Sequence, residues 1–228
     1  MSTFALVHGA WHGAWCWDLL VPELEKRGHR AIAMDLPCDD PKAATREYAD
    51  AVVAALDGVD DDVVIVGHSL GGMTIPVVAS RRPVRKQVYL CALIREPGKS
   101  MADRAEQNAD MSPPEFGAGM VGNDDGTSSV PRATAAEFFY HDLTDDQIDW
   151  AVARLRPQGG AIWGDVAPYT EWPDTEYEYI LCRDDRAITP EWSRREAKAL
   201  LGLTPIEMEG SHSPMVSRPA ELADLLTR

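Results

Sequence analysis

Val63-Val64-Ile65-Val66-Gly67-His68-Ser69-Leu70-Gly71-Gly72 decides how this chain folds. Four consecutive β-branched residues read as a short strand buried on both faces. Glycines then interrupt the run, and the residues through Ala79 resume as a helical stretch from about Leu70. A serine is thereby set at a sharp strand-to-helix turn with glycine two residues away on either side. At such a turn the serine backbone is strained and its hydroxyl projects from the sheet edge, where neighbouring side chains would collide. The first N–H groups of the helix point at any negative charge that develops there. Gly-x-Ser-x-Gly arises by chance in roughly one chain in fifteen of this length. The strand before it and the helix after it remove most of those accidents, which makes Ser69 the candidate nucleophile. His68 is adjacent in sequence, but neighbours on such a turn point apart, so a packing or hydrogen-bonding role is expected of it.

Outward from this turn, strand and helix alternate. Strands are expected at Phe4–Val7, Arg30–Met34, Val63–Val66, Gln87–Ala92, Tyr177–Cys182 and Thr204–Met208. Helices are expected at about Asp18–Arg27, Ala43–Leu56, Leu70–Ala79, Pro190–Leu201 and Pro219–Leu226. Thr189 before Pro190 reads as a hydroxyl N-cap with proline in the first turn. The alternation predicts an α/β fold with a six-stranded, mostly parallel sheet and helices on both faces. From about Pro97 to Asp165 the rhythm fails and Met, Gly, Pro and Asp accumulate. A structureless insert of that length is unusual in a compact domain. The expectation is one domain over residues 1–228 with a small helical cap at about 97–165. Within that cap Glu137–Tyr140 and Asp145–Leu155 are expected to be helical and Gly117–Ser129 to be a loop.

The formal net charge of -15 disfavours phosphate backbones and anionic lipid, so neither nucleic acid nor a membrane is an expected partner. No stretch approaches the roughly 20 apolar residues of a membrane span. The start, Ser2 to Val7, reads as a first strand rather than a signal peptide. Cys16, Cys38, Cys91 and Cys182 form no CxxC pair and read as buried thiols, consistent with a cytoplasmic protein.

Where a serine at such a turn is the nucleophile, an acid and then a histidine follow in chain order. Of six histidines, only His212 lies beyond the late strands. It sits in Gly210-Ser211-His212-Ser213-Pro214, between the last strand and the final helix, on a loop leaving the C-terminal sheet edge where ligands bind in open α/β folds. The acid belongs to Arg183-Asp184-Asp185-Arg186, where two neighbouring carboxylates compete. Only one can turn inward to the imidazole, and the residue pattern separates them poorly. His8 and His12 stand four apart but on a glycine-rich turn without a carboxylate or third ligand nearby, so no metal is expected.

His8-Gly9-Ala10-Trp11-His12-Gly13-Ala14-Trp15-Cys16-Trp17 resembles the opening of the plant methylesterase and hydroxynitrile lyase branch of the α/β-hydrolases, shared with bacterial esterases and pyrethroid hydrolases. The resemblance continues through Gly67–Gly72, Asp185–Ile188 and Gly210–His212. It implies the α/β-hydrolase fold and a Ser69–His212–Asp185 triad, the acid lying five residues before the loop proline, here Pro190. It also implies an oxyanion hole from the backbone N–H groups of Ala10 and Leu70. Two positions depart from the lyases, which carry threonine where Gly9 stands and lysine where Ser213 stands.

The expected activity is hydrolysis of small, apolar or aromatic carboxylic esters through an acyl-enzyme, without cofactor. A hydroxynitrile lyase and a non-catalytic small-ligand receptor are the alternatives, and a homodimer is left open. Trp11, Met73, Met120, Trp163 and Met215 are candidates for the pocket lining, although core positions would look the same.

Overall fold

Apolar runs that alternate with amphipathic helices bury themselves by forming a sheet covered on both sides, and the computed structural model has that arrangement. It describes residues 1–60 and 62–228. In chain order the first half comprises β1 (Thr3–Val7), α1 (Leu20–Lys26), β2 (Arg30–Met34), α2 (Thr45–Ala55), β3 (Val63–His68), α3 (Ile75–Ala79) and β4 (Lys86–Leu90). Next come α4 (Pro114–Ala118), β5 (Val121–Gly122), β6 (Thr127–Ser129), α5 (Arg132–Phe138), α6 (Asp145–Val152), β7 (Gln158–Gly159) and α7 (Ala161–Gly164). The chain ends with β8 (Glu176–Cys182), α8 (Pro190–Leu201), β9 (Ile206–Met208), α9 (Pro214–Ser217) and α10 (Pro219–Leu226).

Six strands form one parallel sheet in the order β2-β1-β3-β4-β8-β9. Side chains alternate between two cores, one on each face. Ala5, Val7, Ile65 and Tyr89 pack with α2, α3 and α8 on one side. Phe4, Leu6, Val64 and Val66 pack with α1 and α10 on the other. After β1 the chain crosses to one flank, and after β2 it returns past β1 to β3. The loops leaving β1 and β3 therefore diverge, and a crevice opens at their C-terminal ends.

Most departures from the expected boundaries have local causes. The helix expected to begin at Leu70 is a tight 3-10 turn over Ser69–Met73 before α3 begins, and Pro76, near the start of α3, has no N–H to continue a ladder. The fourth strand stops at Leu90 because Cys91 takes φ +46°, and Tyr179 Oη then serves both the N–H and the C=O of Ala92. The sixth begins at Ile206, after Pro205. The first helix opens at Leu20 rather than Asp18, following a 3-10 turn over Ala14–Trp17. Pro190–Leu201 and Pro219–Leu226 lie as expected, and Thr189 Oγ1 caps α8 by accepting from Trp192 N.

The 97–165 stretch is not purely helical. Gly117–Ser129 contains a hairpin, β5–β6, turned through Gly126 at φ +85° and extended by β7 into a three-stranded antiparallel sheet. Strands this short leave little period for a sequence reading to detect. The helix expected at Glu137–Tyr140 is instead Arg132–Phe138. All four cysteines are unpaired and buried. Among the described residues no helix is long and apolar enough to cross a membrane.

The tightest packing joins the turn after β3 to its neighbours. A Cβ at Gly71 would lie 2.7 Å from the Val7 carbonyl oxygen and 2.8 Å from that of His8, and one at Gly72 would run into the Leu93 carbonyl. Gly72→Ala should therefore destabilise the fold by about 3 kcal/mol, measured by urea denaturation. Exposed Gly164, with nothing within 4 Å of an added Cβ, should accept alanine with a change below about 1 kcal/mol.

Candidate active site

Ser69 directly follows β3 and occupies φ +52°, a left-handed backbone that L-residues avoid. The neighbouring glycines are what permit it. A Cβ at Gly67 would come 2.8 Å from the Gly71 carbonyl oxygen, and one at Gly9 would come 2.7 Å from Ser69 Cβ. The Ser69 carbonyl accepts from Leu93 N at 2.9 Å, so the chain leaving β4 braces the turn from its other side.

Asp185 lies on the loop after β8 and His212 on the loop after β9, both buried. His212 Nδ1 and Asp185 Oδ2 are 2.8 Å apart. A carboxylate only accepts, so Nδ1 carries the proton and Nε2 keeps its lone pair. The other Asp185 oxygen accepts from Ala187 N and Ile188 N, each at 2.9 Å. This carboxylate is held from three directions. Asp184 is exposed, and its carbonyl accepts from His141 Nε2.

Three further histidines, His68, His8 and His12, are buried, and each makes a hydrogen bond to a backbone carbonyl that fixes its tautomer. His68 Nε2 donates to the His212 carbonyl at 2.8 Å, and the two rings lie 4.7 Å apart. It thereby holds the loop that carries His212, a hydrogen-bonding role of the kind its position beside Ser69 suggests. His8 Nδ1 donates to Gly9 O at 2.8 Å and its Nε2 accepts from Leu36 N at 3.0 Å. His12 Nδ1 donates to Ala10 O at 2.7 Å, leaving Nε2 to accept from Tyr140 Oη at 2.8 Å. With both nitrogens engaged, neither His8 nor His12 has a lone pair to offer a metal. Burial pushes the pKa of His8 down to about 4 and that of His12 down to about 3. The His68 pKa is also held well below its ordinary value, by burial and then by the proximity of His212.

Ser69 and His212 line one cavity of about 370 Å³, and Ala10 and His12 contribute to its wall. Of the five pocket candidates, Trp11, Met120 and Trp163 line it; Met73 and Met215 do not. Met73 is fully buried in the core beneath the turn, and Met215 packs against the opposite face of the sheet with Phe4 and Leu6. Much of the wall comes from residues the sequence did not single out, notably Met111, Phe116 and Phe139. Phe139 also stacks on His212, with ring centroids 5.6 Å apart. Only the aromatic pair Phe138-Phe139 hinted at this wall. Among the described residues no lysine, arginine, aspartate or glutamate lines the cavity.

A left-handed serine at a strand-to-helix turn, facing the same cavity as a buried histidine–aspartate pair on a doubly wound sheet, defines the hydrolase class of α/β proteins. Residues 4–225 match the Alpha/beta hydrolase family, and the chain belongs to it. It is 31% identical over 252 residues to Probable esterase PIR7A of Oryza sativa subsp. indica, covering 99% of this chain and 95% of that protein. It is 28% identical over 249 residues to Methylesterase 2 of Arabidopsis thaliana, covering 98% and 94%. The solved structure of polyneuridine aldehyde esterase shares the fold, with a TM-score of 0.85 at 24% identity over 99% of this chain and 98% of that one. These likenesses group the chain with the esterase-type members of the family.

Three buried neutral histidines make the fold sensitive to acid. Their folded pKa values lie below the ordinary 6.5, so below about pH 6.5 the unfolded chain binds protons that the folded chain refuses. Stability therefore falls as pH drops from 7 toward 4, by about 2 kcal/mol for each of His8 and His12 between pH 7 and 5, with His68 adding in the same direction. Urea denaturation at the two pH values measures the loss; equal stabilities would contradict the assignment.

Proposed function

We propose that the protein is a serine esterase in which Ser69 attacks the ester carbonyl, His212 is the general base and Asp185 orients the imidazole. The carrying observation is the Asp185–His212 hydrogen bond of 2.8 Å on a histidine that shares its cavity with the strained Ser69. With its proton committed on Nδ1, the imidazole offers Nε2 to take the hydroxyl proton as the Ser69 Oγ–carbon bond forms. The oxyanion is met by the N–H groups of Ala10, in the cavity wall, and of Leu70. Leu70 is second in the 3-10 turn opened by Ser69, where an N–H has no partner within the turn. Each such donor is worth about 10²–10³ in rate. His212 next protonates the departing alcohol. Water then attacks the acyl-enzyme, giving its proton to His212, and the acid leaves as Ser69 recovers its hydrogen.

Pocket chemistry supports small, neutral, apolar or aromatic esters. A charged substrate would lose its hydration without gaining a counter-charge from this lining. The 97–165 stretch supplies Met111, Phe116, Met120, Phe139 and Trp163 to the wall, and we read it as a cap that sets substrate shape within one domain. The lyase alternative is disfavoured on two grounds. Ser213 puts a buried hydroxyl where the lyases have a cation, and at Gly9 the 2.7 Å approach to Ser69 Cβ leaves no space for threonine.

Ser69→Ala should lower kcat for p-nitrophenyl acetate by about 10⁴–10⁶ and abolish labelling by a fluorophosphonate, with an unchanged circular-dichroism spectrum. Unchanged turnover in that variant would remove Ser69 from the reaction. A receptor without catalysis would show no turnover in the wild type. Asp185→Asn should cost about 10⁴ in kcat by releasing the tautomer, while Asp184→Asn should stay within about twofold.

A further inference from the structure

The Ala10 amide cannot be a useful donor unless its direction is fixed, and nothing in the loop's own sequence fixes it. The next residue, Trp11, has φ +60°, a second left-handed non-glycine at this site. Such a conformation costs about 1–3 kcal/mol and persists only where surrounding contacts over-determine it.

Those contacts come from far along the chain. The Trp11 carbonyl accepts from Arg156 N at 2.7 Å, and its indole Nε1 donates to Ser128 Oγ at 3.1 Å. Ala10 is held on both sides. Its N–H belongs to the rigid plane of the Gly9–Ala10 peptide, whose carbonyl accepts from His8 Nδ1. Its own carbonyl accepts from His12 Nδ1, and His12 accepts in turn from the Tyr140 hydroxyl. Since the Ala10 carbonyl can only accept, His12 must donate through Nδ1, and Tyr140 must be the donor to Nε2. The ring of His12 cannot turn over without breaking both bonds, and it is stacked on Trp15 with centroids 5.5 Å apart. Tyr140 and His12 are fully buried, so water is not at hand to replace a missing partner.

We infer that His12, Tyr140 and Trp11 are positioning residues for the oxyanion donor: the chain Tyr140–His12–Ala10, with Trp11 latched to Ser128 and Arg156, aims the Ala10 N–H at the reacting carbonyl. The 97–165 stretch thereby governs the chemical step as well as the shape of the pocket. This rests on the serine-esterase reading above. An alternative in which these groups only build the pocket wall gives a different kinetic signature, because a wall residue changes substrate affinity and a donor-aiming residue changes stabilisation of the tetrahedral intermediate.

The test uses Tyr140→Phe, which keeps the ring and deletes the hydroxyl, and Trp11→Phe, which keeps an aromatic ring and deletes the latch to Ser128. With p-nitrophenyl acetate and p-nitrophenyl butyrate, kcat of each variant should fall about 10-fold, a fraction of the loss for removing a donor outright. KM of Tyr140→Phe, a residue outside the cavity lining, should stay within about twofold, whereas Trp11→Phe also trims the cavity wall and is read on kcat and inactivation rate. The rate of inactivation by a fluorophosphonate, which also places negative charge on an oxygen in that hole, should fall in parallel. Thermal melting of both variants, and of His12→Gln as a second perturbation of the same chain, monitors folding. Should Tyr140→Phe and Trp11→Phe keep wild-type kcat and inactivation rate, or change KM alone, the inference is overturned. Ser69→Ala run alongside separates the two failures. If it loses turnover while the Tyr140 and Trp11 variants do not, only the positioning role falls; if it keeps turnover, the esterase reading falls with it.

Discussion

The closeness of two adjacent strand ends governs this molecule. β1 and β3 are neighbours whose connections leave toward opposite flanks, and the turns that follow them press together until no Cβ fits at Gly9 or Gly71. That contact forces Ser69 into a left-handed backbone and brings the Ala10 peptide beside it. A crevice at a switch point is a general property of open α/β sheets. Here the glycines let the two turns approach closely enough to set the Ser69 hydroxyl and the Ala10 peptide at one cavity.

Electrostatics in the crevice follow from burial and from partners. Four histidines gather there, and their hydrogen bonds divide the labour. His8, His12 and His68 each spend an N–H on a backbone carbonyl, at Gly9, Ala10 and His212 respectively. Burial keeps them neutral, so they act as rigid spacers that hold loops. Only His212 gives its N–H to a carboxylate. His212 also lines the cavity with the serine, and in the reaction proposed above the carboxylate beside it would stabilise the imidazolium formed when it takes a proton.

The stretch between β4 and β8 is tied to this centre more closely than a simple cover would need. Phe139 stacks on His212, the Phe139 carbonyl accepts from Ser211 Oγ at 2.8 Å, and Asp142 accepts from Ser211 N at 3.0 Å. Arg156 and Ser128 hold Trp11. Both the His212 loop and the turn at Trp11 thus lean on residues 128–156. The surface of the cavity and the placement of the groups within it are set by the same segment.

The parallel sheet, its six strands and the motif at Ser69 were legible in the primary structure. They depend on local periodicity and on the steric demands of glycine, which act within a few residues. Helix α8 could be read to the residue because Thr189-Pro190 carries its own start signal. His212 was legible by elimination, from its place after the last strand. What lay beyond sequence reading was decided by contacts between distant segments. The preference for Asp185 came from resemblance alone, because two adjacent carboxylates differ only in which one the loop turns toward the imidazole. Met73 and Met215 went into the core and Phe116 and Phe139 into the cavity wall, a distinction set by the direction of each side chain after packing. The hairpin within 97–165 was missed because strands of two or three residues have almost no period. The hold of Tyr140 on His12 spans 128 positions along the chain, and only the tertiary fold could bring a phenol and an imidazole within reach of each other.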